Sequence, residues 1–287
     1  MALGAAEVEY ITQGVEADMR NDGRKKEDFR AIELQLGVIA QASGSARLRL
    51  GNTDVIVGVK VEIGSPDPDM LDCGRLAFSV ECSPVASSAF QGRGGEELGA
   101  ELTRSLERAL YPGPTGRGGG VDLSQLSIVA GKTCWVLYVD ALVLNIDGNV
   151  LDALSLAAKA ALADTRIPKV EVTPGEDPTD EPDYEVDDDP AACSRLNVQS
   201  VPVIVTVSQI GRSCAVDPTA AEELCSSAAL QARVCSRVAV DSSGRVCGLT
   251  KRRQQALDPA ILLDMVDIAQ RLGPRLHKAL DAFVLSL

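Results

Sequence analysis

The chain has 287 residues, and 45% of them are hydrophobic, which suffices for the core of one large domain or two modest ones. The net charge of −13 argues against nucleic-acid binding by the chain alone, and an aromatic content of 3% argues against base-stacking surfaces. No apolar run is long enough to cross a bilayer, and the first residues lack the basic and apolar regions of a signal peptide, so we expect a soluble, intracellular chain with no membrane partner.

Hydrophobic periodicity predicts strands and helices in the part of the chain before residue 170. Val55, Val57 and Val59 fall on one face of an extended segment, which is the alternation expected of a half-buried strand. Leucines spaced by four residues from Leu98 onward indicate a helix. In chain order, the predicted elements are a helix over 5–19, strands over 31–42, 46–50 and 54–63, a helix over 98–109, a strand over 134–146 and a helix over 149–163.

An acidic segment separates this part from the rest of the chain. Ten acids and no Lys or Arg lie between Glu171 and Pro190, and without them the net charge of −13 becomes −3. A segment that is rich in proline and acids and has no apolar period is predicted to be a surface loop or linker. We therefore divide the chain into an N-terminal helix and turn (1–25), a first half (26–170), the acidic loop (171–194) and a second half (195–287).

The second half repeats the order of strands followed by a helix. Strands are predicted over 201–210, 228–240 and 245–251. Asp258 and Pro259 then form a helix N-cap with proline at the first helical position, and an apolar stripe follows them. Strands followed by helices in both halves predict an α+β fold in which helices cover the sheets.

A segment in the middle of the chain has the layout of a phosphate-binding site without the cations. A predicted strand ends at Asp147 and Gly148 and a helix follows at once, so free N–H groups and the positive end of the helix dipole would face an anion. The next positions include Asn149 and Leu151, but no Lys, Arg, Ser or Thr that could hold a phosphate. Asp147, Gly148, Asn149 and Leu151 are therefore predicted to form a degenerate phosphate site.

Motifs near the N-terminus resemble those of the RNase PH family. They are RNDGR at residues 20–24, GSAR at 44–47 and GNTDVIVGVK at 51–60, and the resemblance extends from about Tyr10 to Phe283. It implies the RNase PH fold, with two ribosomal-protein-S5-like βαβ halves and helices covering mixed sheets. It also implies a six-membered ring around a channel. Active members of the family shorten the 3′ end of RNA by phosphorolysis, with inorganic phosphate as the nucleophile.

The chain departs from the active members of that family at three places. Leu151 stands where the phosphate-binding arginine is expected, and Asp152 adds a negative charge where phosphate should dock. Active members carry a pair of carboxylates downstream, and the second of them is missing near Ala228. Gly94 takes the place of a helix arginine that holds phosphate in active members. The resemblance thus implies a non-catalytic subunit of the exosome core ring, which supports 3′-to-5′ RNA processing and degradation. The alternatives are a phosphorolytic 3′ exoribonuclease and a stand-alone RNA-binding module of S5-like fold.

The same resemblance implies the partners of the chain. They are other RNase PH-like exosome subunits, cap subunits with S1 or KH domains, and single-stranded RNA that passes through the assembled channel. The expected compartments are the nucleus, including the nucleolus, and the cytoplasm. No metal or cofactor is expected, and the eight scattered cysteines, which form no CxxC pair, are predicted to be reduced and buried.

Three arginines are candidates for contact with RNA. Arg104 and Arg108 lie four residues apart on one helix face, where like charges repel and an anion would relieve the repulsion. The resemblance implies RNA-contacting arginines on this helix. Arg93 lies in a glycine-rich segment that either binds an anion or is an ordinary loop. For Arg104, the alternative role is neutralisation by Glu101 and Glu107.

Two further features are predicted to be structural. The arginines of the turn at residues 20–24 are expected to tie the N-terminal helix to the sheet or to a neighbouring subunit. His277 is the only histidine, and no Ser or Cys nucleophile is indicated beside it, so we expect no general-base role.

Overall fold

The structure of the chain is a computed structural model that describes residues 3–87, 90, 93–111, 120–173, 183–187, 189, 192–228, 235–251 and 258–285. Up to residue 167, these ranges contain three α-helices and seven strands. In chain order they are α1 (Ala5–Glu16), β1 (Ile32–Leu36), β2 (Gly44–Leu50), β3 (Thr53–Gly64), β4 (Arg75–Cys82), α2 (Gly94–Leu110), β5 (Ser127–Val129), β6 (Thr133–Asn145), α3 (Val150–Asp164) and β7 (Arg166–Ile167).

The first sheet is mixed. Its strands follow the order β1-β2-β3-β6-β4, with the short β5 also paired to β6. Neighbouring strands are antiparallel except β4 and β6, which pair in parallel. In β3, Val55, Val57 and Val59 are fully buried and the residues between them are not, which confirms the predicted alternation.

The elements after β7 are β8 (Val170–Thr173), β9 (Asp183–Val186), β10 (Ser194–Arg195), β11 (Val203–Ile210), β12 (Ser213–Val216), α4 (Ala220–Ala228), β13 (Cys235–Val240), β14 (Val246–Lys251) and α5 (Pro259–Leu285). The second half contains a second sheet that is antiparallel throughout its four strands, in the order β12-β11-β13-β14. The long helix α5 crosses β11 and β13 and buries Met265, Leu272 and Leu276. Its N-cap is confirmed, since the Asp258 carboxylate accepts the Ala260 N–H at 3.0 Å.

Helix α3 lies between the two halves. It contacts β2 and β3 on one side and β11 and α5 on the other. Every residue from Leu151 to Ala163 is buried, because no side of the helix faces solvent. Three of these residues are polar, namely Asp152, Ser155 and Lys159, and each therefore needs a hydrogen-bond partner inside the protein. One hydrophobic core extends across both sheets around this helix.

Several predicted boundaries are wrong. The strand expected over 31–42 ends at Leu36, because Gly37 takes a left-handed conformation with φ of 66°. Ala228 ends a helix instead of starting a strand, and that strand begins at Cys235. Strands β4 and β12 and helix α4 were not predicted. The expectation of mixed sheets holds for the first sheet only.

The acidic segment is also more ordered than predicted. Strands β8 and β9 pair in antiparallel fashion, with Val172 opposite Tyr184, so the interpretation of 171–194 as a loop throughout is wrong for these strands. Main-chain pairing needs no apolar period in the sequence, and Val186 packs against the core. Residues 174–182 of the acidic segment lie outside the described residues.

The described helices include none that combines the length and apolar character needed to span a membrane. The cysteines Cys73, Cys82, Cys134, Cys193, Cys214, Cys225 and Cys247 are free thiols, but only three are buried and Cys247 is exposed, so the prediction of burial is partly wrong. In the part of the chain that the structure describes, His, Cys, Asp and Glu side chains form no group suited to holding a metal.

Candidate functional site

The turn that precedes α3 is the predicted degenerate phosphate site. Gly148 and Asn149 both take left-handed conformations, with φ of 79° and 52°. The Thr53 hydroxyl donates to the Gly148 carbonyl at 2.8 Å and accepts the Asp147 N–H at 3.1 Å. The Asn52 amide donates to the Asp147 carboxylate at 3.0 Å. The GNT residues of the N-terminal motif therefore hold this turn in place, although about ninety-five residues separate the two segments.

A carboxylate of the protein already occupies the start of α3. The Asn149 N–H donates to Glu223 Oε1 at 2.8 Å, so a side chain of α4 takes the position where the helix N-terminus would hold an anion. At a separation of ~4 Å and an effective dielectric constant near 20, this carboxylate would oppose a phosphate oxygen by about 4 kcal/mol. Leu151, in the position of the expected arginine, is buried. The N-terminus of α3 at this turn is therefore bound by a carboxylate of the protein itself.

Behind the turn lies the buried carboxylate of Asp217, which has an exposed fraction of zero. Its oxygens accept the Arg30 N–H at 2.9 Å, two guanidinium N–H groups of Arg30 at 2.9 and 2.8 Å, and the Asn149 amide at 2.8 Å. Arg24 adds an ion pair at 3.0 Å. Burial raises the pKa of Asp217, but the hydrogen bonds and charge of Arg30 outweigh it and hold that pKa below its usual value. Asp217 is therefore ionised and serves as an internal counter-ion.

Arg20 makes a second buried ion pair next to this one. Its guanidinium binds Glu222 through two N–H groups and donates to the carbonyls of Val216 and Asp217 at 2.9 and 2.8 Å. The predicted structural role of the turn at residues 20–24 is confirmed. The partners of Arg20 lie in β12 and α4 of the second half. Helix α4 also carries Glu223, which contacts the start of α3.

Asp152 was expected to add negative charge where phosphate would dock, and this prediction is wrong. Its side chain is fully buried and accepts the Thr206 N–H at 2.8 Å, the Thr206 hydroxyl at 2.6 Å and the Asn149 amide at 2.9 Å. It thus connects α3 to β11 inside the protein. Burial raises the pKa of Asp152 to about 7, although the hydrogen bonds from Thr206 oppose the shift.

The raised pKa of Asp152 predicts how the stability of the fold depends on pH. Because the folded-state pKa of Asp152 exceeds the ordinary value of 3.8, this group stabilises the fold most at low pH and loses that contribution as pH rises from about 4 to about 7. The Asn side chain of Asp152→Asn still accepts the Thr206 N–H, and its NH₂ group can donate to the Thr206 hydroxyl oxygen. We measure the free energy of unfolding by urea denaturation and subtract the wild-type value from that of Asp152→Asn. We expect this difference to rise by a few kcal/mol between pH 4 and pH 8. Asp140→Asn, at an exposed position on β6, is the control. A pH-independent difference for Asp152→Asn would contradict the prediction.

A cleft of about 80 Å³ opens beside the turn. Among the described residues that line it, the cation is Arg237 of β13, which no motif in the sequence indicates. Its side chain is only 8% exposed, and it pairs with Glu101 at 3.6 Å and donates to the Ser105 hydroxyl at 3.4 Å. The acid that lines the cleft is Glu223. The lining residues are Phe90, Leu98, Leu102, Ile146, Asn149, Val150, Leu151, Thr206, Glu223 and Arg237.

The arginines predicted to contact RNA all lie at the surface. Arg93 is the N-cap residue of α2, and Arg104 and Arg108 are exposed on the same helix. The predicted neutralisation of Arg104 by Glu101 and Glu107 is wrong, because Glu101 pairs with Arg237 and Glu107 makes no ion pair with Arg104 among the described residues. Over the residues that the structure describes, neither Arg104 nor Arg108 has an ion pair. The structure brings Arg108, and not Arg104, to the same groove as Arg237.

The only histidine is a buried structural residue. His277 Nε2 lies 2.9 Å from the Val240 carbonyl, and its Nδ1 lies 2.6 Å from the amine of Lys159. Lys159 also donates to the Val201 carbonyl at 3.0 Å, and burial lowers its pKa to about 8. This pair joins α3 to α5 through the core and lies away from the turn. No local pattern in the sequence predicts this pair, because the two residues are 118 positions apart.

Models of the two domains of the 3′ exoribonuclease family match this chain. The model of domain 1 covers residues 28–168 and the model of domain 2 covers residues 200–271. The chain therefore belongs to the 3′ exoribonuclease family, also called the RNase PH family, which confirms the resemblance and the fold inferred from the sequence.

Known proteins that are similar to the chain include subunits of the exosome. A Dictyostelium discoideum protein named putative exosome complex exonuclease RRP42 is 36% identical over 97% of each chain. The exosome complex component Rrp42 of Methanopyrus kandleri is 35% identical over 95% of this chain and 94% of its own length. A chain of the Archaeoglobus fulgidus exosome with RNA bound to the active site superposes with a TM-score of 0.75 at 29% identity, covering 96% of this chain and 97% of its own length.

Proposed function

We propose that this chain is a non-catalytic subunit of the exosome core ring, which supports 3′-to-5′ RNA processing and degradation by forming part of an RNA-threading channel. The observation that carries the proposal is the contact between the Asn149 N–H and the Glu223 carboxylate. A turn that holds its own carboxylate, beside a buried leucine at the arginine position, is a poor receptor for the phosphate that phosphorolysis requires.

The assembly part of the proposal is supported by the relatives. Two proteins that share about a third of their residues with this chain, over nearly their whole length, are named as exosome components or exonucleases. We propose that the partners are other RNase PH-like subunits in a six-membered ring, cap subunits with S1 or KH domains, and single-stranded RNA in the channel. Arg93, Arg104 and Arg108 are proposed to contact that RNA. The proposed compartments are the nucleus, with the nucleolus, and the cytoplasm; imaging of the tagged full chain tests them.

One experiment tests assembly and catalysis together. The tagged full chain is purified from cells, its stoichiometric partners are identified, and the chain is then tested alone with labelled RNA and inorganic phosphate. We expect related ring subunits as partners and no phosphate-dependent release of nucleoside diphosphates by the chain alone. Cooperative thermal unfolding of the same sample shows that the inactive chain is folded. Release of diphosphates that increases with phosphate concentration would instead establish a phosphorolytic enzyme.

A further inference from the structure

A shallow groove between α2 and the edge of the second sheet brings together arginines from both halves of the chain. Arg108 comes from α2 and Arg237 from β13, and the hydroxyl residues Ser105 and Thr250 lie beside them. The other residues that line this groove are small or apolar, and none of the described lining residues is acidic. Because Thr250 is the strand partner of Arg237, the groove follows the pairing of β13 with β14.

Arg237 has donors that the fold leaves largely unused. A guanidinium carries five N–H donors, and burial without partners is unfavourable. The described partners of Arg237 are Ser105, at 3.4 Å, and Glu101, at 3.6 Å, so both contacts are long. Glu101 is half exposed, and solvent screens its interaction with Arg237. The site is therefore a nearly buried cation without a matched internal anion.

Arg108 adds a second guanidinium to the same groove. It is exposed and, across the described part of the chain, its side chain makes no ion pair or hydrogen bond. Arg104 lies one turn earlier on the same helix and is likewise without an ion pair there. Like charges at this spacing repel, so a ligand with repeated negative charges would stabilise the group. A single small anion would neutralise only part of the charge of these arginines.

The dimensions of the groove limit the ligand. Its accessible volume is about 20 Å³, little more than the ~10–15 Å³ that a cavity needs to hold one water molecule. A nucleobase or a cofactor cannot enter it. Both arginines nevertheless line the same groove, and the oxygens of a phosphodiester match the planar N–H fork of a guanidinium.

We propose that Arg237, together with Arg108, binds a backbone phosphate of single-stranded RNA that crosses this groove. The proposal rests on the proposed function, because RNA reaches the chain in the assembled ring. It places a contact on β13, in the second half, beside the arginines of α2. The main alternative ligand is a carboxylate of a neighbouring subunit.

The test measures RNA affinity in the assembled ring, with this chain as wild type, Arg237→Gln, Arg237→Lys, Arg108→Gln or Arg275→Gln. Arg275 is an exposed arginine on α5 outside the groove and serves as the matched control. We expect Arg237→Gln and Arg108→Gln each to weaken binding of single-stranded RNA by about three- to tenfold and to reduce the slope of affinity against salt by at most about 0.7, the value for one phosphate contact. Arg237→Lys should lose less, because it keeps the charge, and Arg275→Gln should match the wild type.

The outcomes separate the proposal from its rivals. The proposal is overturned if rings that contain Arg237→Gln bind RNA with the same affinity and salt slope as rings that contain Arg275→Gln. The same result for Arg108→Gln, which replaces an exposed residue and should fold normally, also overturns it. Variants that fold but no longer enter the ring would show that the arginines bind a neighbouring subunit, and this also overturns it. Inorganic phosphate should displace RNA no better than chloride at equal ionic strength; specific displacement would identify a site for the free ion. If no ring forms with the wild-type chain, the proposed function fails instead.

Discussion

Replacing Asp217 with alanine is expected to lower the free energy of unfolding by about 3 to 5 kcal/mol, the range typical of breaking a buried ion pair. The carboxylate is fully buried and accepts three hydrogen bonds from Arg30 alone. Without it, the Arg30 guanidinium, whose side chain is 7% exposed, keeps only a long ion pair with Asp147 at 3.9 Å. The Asn149 amide loses an acceptor as well. Urea denaturation of the full chain, monitored by circular dichroism, gives the free energy of unfolding.

The pH dependence of this effect has a definite sign. The folded-state pKa of Asp217 lies below its ordinary value, so its contribution to stability is present at neutral pH and is lost as pH falls through the folded-state pKa. The difference between wild type and Asp217→Ala should therefore shrink in acid, below about pH 4. Glu33→Ala breaks an exposed pair with Arg49 and should change stability by less than about 1 kcal/mol. Equal effects of the two substitutions would show that the Asp217 network contributes little.

Gly148→Ala is expected to destabilise the chain by about 3 kcal/mol or more. Gly148 has φ of 79°, and an added Cβ would lie 2.6 Å from main-chain atoms of Pro218, Thr219 and Ala220. These are backbone atoms at the start of α4 and cannot rotate away. The segment would have to move off the turn, and Glu223 would move with it. Loss of stability is measured by thermal or urea unfolding.

A second glycine separates the two causes of this effect. Gly131 also has a positive φ, of 75°, but no atom lies within 4 Å of its added Cβ. Gly131→Ala therefore tests the backbone strain without the clash and should lower stability by about 1 kcal/mol. If both alanine variants lose the same amount, close approach of the halves at Gly148 is not what makes that glycine necessary.

The substitutions Asp217→Ala and Gly148→Ala act on the same contact between the halves. Arg20, Arg30 and Asp217 hold the loop before α4 against the turn, and Gly148 permits the close approach. That position allows Glu223 to reach the Asn149 N–H. The feature that argues against catalysis thus depends on the packing of the two halves and not on the turn alone.

Much of the fold was predictable from local patterns. The alternation in β3, the apolar run of α3 and the N-cap of α5 each depend on residues that are close in sequence, and all three are confirmed. Strand β4 was missed although Leu76, Phe78 and Val80 alternate, so a signal was present. The short helix α4 has only nine residues, which is too few for a clear period.

The amino-acid sequence by itself determined the family, the two-layered α+β halves, and the absence of an arginine at position 151. Only the tertiary structure decided which charges meet. Asp152 turns inward to Thr206, Glu223 reaches α3 from 74 residues away, and Arg237 joins Arg108 across 129 positions. Local periodicity tells which face of an element is buried, whereas the partner of a buried charge is set by how distant elements pack, and no local pattern contains that information.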